Sequence, residues 1–150
     1  MSDNEIDVFI GEQRIVTVAT LSRSGRPHLL PLWYVPQPGA QIDAWTYASS
    51  QKIVNLRVVP LATLQVESGH NYEELRGVSM ECDVELIEDT ADVAEIGLAL
   101  SVRYTDGLTP ESVTDGLKDF VDTQASKRIG LRFHPTQIIS WDHRKLGGVY

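Results

Sequence analysis

The sequence is poor in cysteine, in cations and in long apolar runs, and each shortage excludes something. Cys82 is the single cysteine in 150 residues. An intrachain disulfide and a cysteine-cluster metal site are therefore ruled out. No apolar run approaches the roughly 20 residues of a membrane-spanning helix. The opening stretch, MSDNEIDVFIGEQR, lacks the charged start and apolar centre of a signal peptide. These two absences lead us to expect a cytoplasmic protein that engages no membrane. Lysine and arginine number 13 against 21 aspartates and glutamates, a net charge of -8. That argues against a general nucleic-acid binder, whose phosphate contacts need clustered cations, but leaves room for a local basic pocket.

Catalytic signatures are absent too. There is no G-x-S-x-G, no H-E-x-x-H and no P-loop. His28, His70, His134 and His143 are scattered without ligand spacing, so no metal is expected. The acidic pairs Glu73-Glu74 and Glu88-Asp89 sit at strand ends, where they are solvated. No side chain is identified as catalytic. A chain without its own chemistry either relies on a cofactor or only binds.

What is present is a soluble globular composition, 42% hydrophobic and 23% charged, and a length for one domain spanning 1–150. Ile6, Phe9 and Ile10 have helical spacing, giving a short helix that ends near Gly11. Arg14 to Leu21 is a β-branched strand, and Gly25 turns the chain. His28 to Val35 returns as a second strand. Pro31 inside it cannot donate to a ladder, so this strand lies on an edge, bulges or faces a ligand. Gln41 to Tyr47 and Leu61 to Glu67 are further strands. Leu75 to Glu88 alternates clearly, with Val78, Met80, Cys82, Val84 and Leu86 on the apolar face, so Cys82 is read as a packed thiol. Thr90 to Tyr104 is helical. Thr109 and Pro110 form a cap and first-turn pair for a helix turning Val113, Leu117, Phe120 and Val121 inward. Arg128 to His134 and Thr136 to Trp141 are two last strands, broken at Pro135. The sum is mainly β with a few helices: six or seven antiparallel strands closing into a barrel.

The stretch WTYASSQKIVNL, Trp45 to Leu56, organises the rest. A strand enters a hydroxyl-rich turn, and a helix begins with Lys52. Free amides at a helix start, a cap from Ser49 or Ser50, and the lysine charge together make an anion seat. An ordinary capped helix is the alternative reading of the same residues.

Four stretches resemble the pyridoxamine-phosphate-oxidase-like split-barrel family, which binds FMN or the deazaflavin F420. They are VATLSRSGRPHLLPLWYV, WTYASSQKIVNLRVVP, YEELRGVSMECDVELIED and RIGLRFHPTQIISWD. The resemblance implies a split β-barrel. His28, Leu30, Pro31, Leu32 and Trp33 match the strand beneath the ring, with backbone groups on its polar edge. Thr46 and Tyr47, beside Trp45, match the strand bordering the ring and ribityl chain. Ser49, Ser50, Gln51 and Lys52 match the phosphate grip, with Gln51 in place of the family's arginine; Asn55 follows at the family's spacing. Arg76 matches a basic position, but Gly77 stands where oxidases often have glutamine. Trp141 matches a tryptophan that reaches the cofactor of the partner subunit, which implies a homodimer. The tail DHRKLGG departs from the pyridoxal-phosphate-recognising pattern, which speaks against vitamin B6 oxidation. The expected function is a reductase passing hydride between F420 or FMN and a small organic substrate. Lost oxidase arginines favour F420, whose acidic tail Arg57, Arg144 and Lys145 could meet. The alternatives are a non-catalytic cofactor store and a haem-handling relative.

Overall fold

The structure is a computed structural model and describes residues 1–147. Its elements are α1 (Asp3–Glu12), β1 (Val16–Leu21), β2 (Pro27–Leu32), β3 (Val35–Pro36), β4 (Ile42–Tyr47), α2 (Gln51–Leu56), β5 (Leu61–Ser68), β6 (Arg76–Ile87), α3 (Thr90–Tyr104), α4 (Asp115–Ala125) and β7 (Arg128–Asp142). The strands form one antiparallel sheet in the order β2-β1-β5-β6-β7-β4-β3. It curls into a half-barrel that stays open between β2 and β3. Both edges are poor templates for further pairing: β3 is two residues long, and β2 carries Pro27 and Pro31.

Alternation along the strands builds two cores. Val16, Val18, Ile42, Ala44, Leu64, Val66, Val78, Met80, Leu131 and Phe133 fill the inside of the curl. Ile6, Phe9 and Ile10 of α1, and Ile53 and Leu56 of α2, pack into the same cluster. Ile87, Val93, Ile96, Leu100, Val121 and Ala125 form a second cluster, with Trp45 packed against it, so α3 and α4 cover the other face of β4 and β7. Cys82 is buried, and burial pushes its thiol up to about 12.

Several boundaries differ from expectation. The second strand stops at Leu32, because Tyr34 turns fully inward; its hydroxyl donates to Ile10 O at 2.6 Å and Gln13 O at 3.0 Å, satisfying the carbonyl end of α1. Pro135 does not break the last strand. Opposite it the β6–β7 register shifts between Glu81 and Cys82, and that bulge takes up the missing donor. Thr109 and Pro110 start only a single 3₁₀ turn, Pro110–Ser112; α4 begins at Asp115, capped by Thr114, whose hydroxyl accepts from Leu117 N at 3.3 Å. Phe120 is 59% exposed rather than inward, because α4 buries the stripe Leu117, Val121, Ala125 and Phe120 sits off it.

Candidate cofactor site

Lys52 is the residue around which one end of the half-barrel is arranged. Ile53 and Leu56 anchor α2 in the inner core, and this draws Lys52 in with them. The residue is only 6% exposed. Its ammonium donates to Thr46 Oγ1 at 2.7 Å. No carboxylate among the described residues pairs with it. An ammonium has three donors and here one is used. Burial therefore pulls its pKa below the ordinary 10.5.

The neighbouring polar groups are arranged around that charge. Thr46 Oγ1 also donates to Ser50 Oγ at 3.5 Å. Ser50 holds the N-cap position of α2, but its side chain caps no amide, contrary to the expected serine cap, and Ser49 is exposed. With six residues, α2 contributes little dipole, so the positive potential here is mainly the lysine's. Asn55 is buried, donates to Thr20 Oγ1 at 3.0 Å and accepts from Gln51 Nε2 at 2.9 Å. Asn55 and Gln51 thus pin α2 onto β1. Across the β1–β2 ladder from Thr20 stands His28, whose Nδ1 is buried with no hydrogen-bond partner. Two under-satisfied polar groups, a cation and an imidazole nitrogen, lie at one end of the fold.

The expected site residues divide into three places. Thr46, Ser50, Gln51, Lys52, Asn55 and His28 gather at the α2 end. Tyr47 is 54% exposed just outside it. Along β2, Leu30 and Leu32 are half-buried and Pro31 is exposed on the sheet's edge, opposite Thr17. Trp33, 60% exposed, stacks on Tyr104 with ring centroids 4.4 Å apart. Arg76 and Trp141 lie at the far end: Arg76 pairs with Glu12 at 3.1 Å and its guanidinium lies over Phe9, while the Trp141 indole covers Gly77. A Cβ at Gly77 would meet that indole at 2.3 Å, which explains why no glutamine stands there. From Arg128, opposite Tyr47, to Trp141 is most of β7, roughly 40 Å along a straight strand. Lys52, bonded to Thr46 opposite Ile129, and Trp141 thus sit toward opposite ends of β7.

Sequence reasoning missed Arg128 and misjudged the tail-binding cations. Arg57 pairs with Glu88 at 2.6 Å, Arg144 with Asp142 at 2.6 Å and Lys145 with Glu5 at 2.7 Å. Each already has a carboxylate. Arg128 has none among the described residues; its guanidinium lies over the Trp45 and Tyr47 rings, at 4.6 and 4.3 Å. Only the β4–β7 register brings it to the turn, and no local motif announces that pairing. A separate cavity of about 610 Å³ on the α3 side is lined by acids, and its Arg132 is held by Asp43 through two 3.0 Å hydrogen bonds. Among the described residues no cluster suits a metal ion, and no helix is long and apolar enough to cross a membrane.

A curled antiparallel sheet, open on one side and plugged at its ends by α1 and α2, defines a split β-barrel. The chain belongs to the pyridoxamine 5'-phosphate oxidase family, whose model matches residues 2–142. It is similar to a conserved hypothetical protein of Mycobacterium tuberculosis, with 39% identity and a TM-score of 0.88 over 100% of this chain and 90% of that one. A solved F420 reductase superposes with a TM-score of 0.65 at 20% identity, covering 89% and 94% of the two chains. The haem storage protein HutZ of Vibrio cholerae gives 0.68 at 15%, covering 91% and 92%. At these identities the last two show the fold alone. No curated protein matches the sequence.

Proposed function

We propose that this chain is a reductase that moves hydride between bound F420 or FMN and a small organic substrate, working as a homodimer. The observation that carries the reading is Lys52: a buried ammonium with one hydroxyl partner and no counter-ion. Such a charge weakens the fold unless something compensates it. A phosphate supplied by a ligand is the natural compensation, and the orphaned Nδ1 of His28 lies on the adjoining strand. The residues present therefore fit a phosphate-bearing flavin or deazaflavin.

Thr46, Ser50 and Lys52 take the phosphate, with Ser49 and Tyr47 at its rim. β2 pairs on one side only, so the outward backbone groups of Leu30 to Leu32 are free for the polar edge of a ring. Asn55 and Gln51 hold α2 in position. When bound, the cofactor supplies the redox chemistry, and the protein supplies orientation and a drier setting.

A second copy completes the site. One row across the outer face of the sheet reads Pro31, Thr17, Gln65, Ser79, Ile139 and carries no charge. Leu29, Trp33 and Ile139 are 61%, 60% and 57% exposed beside or within it. Docking a second copy on this face covers them and brings Arg76 and Trp141 of that copy toward a cofactor the first chain cannot enclose.

The absorbance of the purified protein, before and after adding FMN or F420, tests the binding; oxidation of reduced cofactor against a panel of electrophilic substrates tests the chemistry. A spectrum that changes without turnover reassigns the chain as a store. A haem Soret band in its place, or no spectral change, defeats the proposal.

A further inference from the structure

We propose that Arg128 binds a second anionic group of the ligand, beyond the phosphate held at Lys52, so that the site selects cofactors with an extended acidic tail. The inference rests on the cofactor reading above and adds a residue and a selectivity to it. Three observations carry it. First, Arg128 is fixed to the turn that feeds the seat. Its Cα pairs with Tyr47, and Ala48 N donates to Lys127 O at 3.1 Å. Second, its guanidinium is preorganised. It lies over the rings of Trp45 and Tyr47, and its Nη1 donates to both Gln124 O at 3.0 Å and Gln124 Oε1 at 2.6 Å. Trp45 is itself locked, because its ring fills the space above Gly97, where a Cβ would approach it to 2.4 Å. Third, the charge is not neutralised. In a chain with 21 acids, no carboxylate among the described residues pairs with Arg128, and its Nε and Nη2 make no hydrogen bond there. Lys127, exposed and with no carboxylate partner among the described residues, stands next to it.

The placement of the two cations sets the selectivity. Thr46 and Tyr47 are consecutive on β4, so their side chains leave opposite faces of the strand. Lys52 works with Thr46 on the inner side. Arg128 works with Tyr47 on the outer side. One phosphate does not serve both. A molecule whose phosphate is followed by another anionic group, running past the end of β4, reaches both. The shared chemistry is a ring system with two separated anions. The glutamyl carboxylates of F420 and the second phosphate of FAD both meet that description, whereas FMN has only the first.

Titration of FMN, FAD and tailed F420 into the wild type, Arg128→Ala, Arg128→Lys and Lys52→Ala tests this. One charge-assisted hydrogen bond corresponds to about tenfold to a hundredfold in affinity. Arg128→Ala should weaken the tailed ligand by about that factor, leave FMN within about twofold, and be partly rescued by Arg128→Lys. Loss on F420 identifies carboxylates as the second anion, and loss on FAD identifies a phosphate. Equal losses on all three ligands, or none, overturn the proposal, since a merely structural arginine would not distinguish them. Lys52→Ala separates the two readings. If it weakens all three while Arg128→Ala weakens none, the cofactor site stands and the role of Arg128 does not. If wild type binds none, or Lys52→Ala binds as wild type does, the cofactor reading falls and takes this one with it. Should Arg128→Ala not fold, Arg128→Gln, which keeps a flat face and a donor toward Gln124, carries the same comparison.

Discussion

Lys52, a residue 6% exposed whose ammonium has one hydroxyl partner, weakens the fold that carries it. Replacing Lys52 by Met removes that cost, and Thr46 keeps Ser50 as a partner. The ligand-free variant should therefore melt at the same temperature as wild type or a few degrees higher, equivalent to ~1 kcal/mol. A fall of several kcal/mol in a thermal melt would make Lys52 structural. The pH dependence has a defined sign. The folded-state pKa lies below the ordinary 10.5, so the unfolded chain binds more protons in the interval between the two values. Ligand-free stability contributed by this group thus rises with pH through that interval. Anion binding needs the proton and weakens over the same range, earlier than an ordinary lysine would dictate. Affinity measured against pH should fall on the alkaline side for wild type and stay flat for Lys52→Met. Cys82 is buried with its thiol pushed up to about 12, so the native protein should resist alkylation at neutral pH until unfolded; rapid labelling of the native chain, read by mass spectrometry, contradicts the packing described.

At the scale of elements, local pattern predicted what local physics decides. The long alternating strand β6 and the helix α3 lie where their periods put them, because each buries one uninterrupted face. Errors arose where a distant partner decides. Pro135 reads as a break, but the bulge opposite it is a property of the β6–β7 pair. Tyr34 reads as strand, but the carbonyl end of α1 draws it inward. Thr109-Pro110 reads as a helix start, yet Thr114 provides the cap that α4 uses. Thr114→Ala should then destabilise the protein by ~1 kcal/mol, and Thr109→Ala by less; the reverse order in denaturant melts would restore the earlier start. In the candidate site the turn, the serines and Lys52 were legible as a motif. The burial of Lys52, the use of Asn55 to tie α2 to Thr20, and the cradle around Arg128 were not, since each depends on which strand lies beside which.

For the whole molecule, curling one sheet leaves one uncharged row on its outer face, flanked by rows that carry Glu67 and Glu81, and distributes the family's site positions over opposite ends. Lys52, beside Thr46, and Trp141 lie toward opposite ends of β7 in one chain, so the proposal uses a second copy to bring Trp141 to the cofactor. Ile139→Asp places a charge in the middle of the uncharged row. Sedimentation should find wild type dimeric and this variant shifted toward monomer, with weaker cofactor binding in parallel. A wild-type monomer that binds cofactor fully would remove the second copy from the account.

The most direct measurement compares FMN with riboflavin, which lacks the phosphate, on wild type and Lys52→Ala by fluorescence titration. Wild type should prefer FMN, and Lys52→Ala should abolish that preference, lowering FMN affinity by about tenfold to a hundredfold while riboflavin is unaffected. If both proteins bind the two ligands alike, Lys52 holds no phosphate and the central claim is wrong.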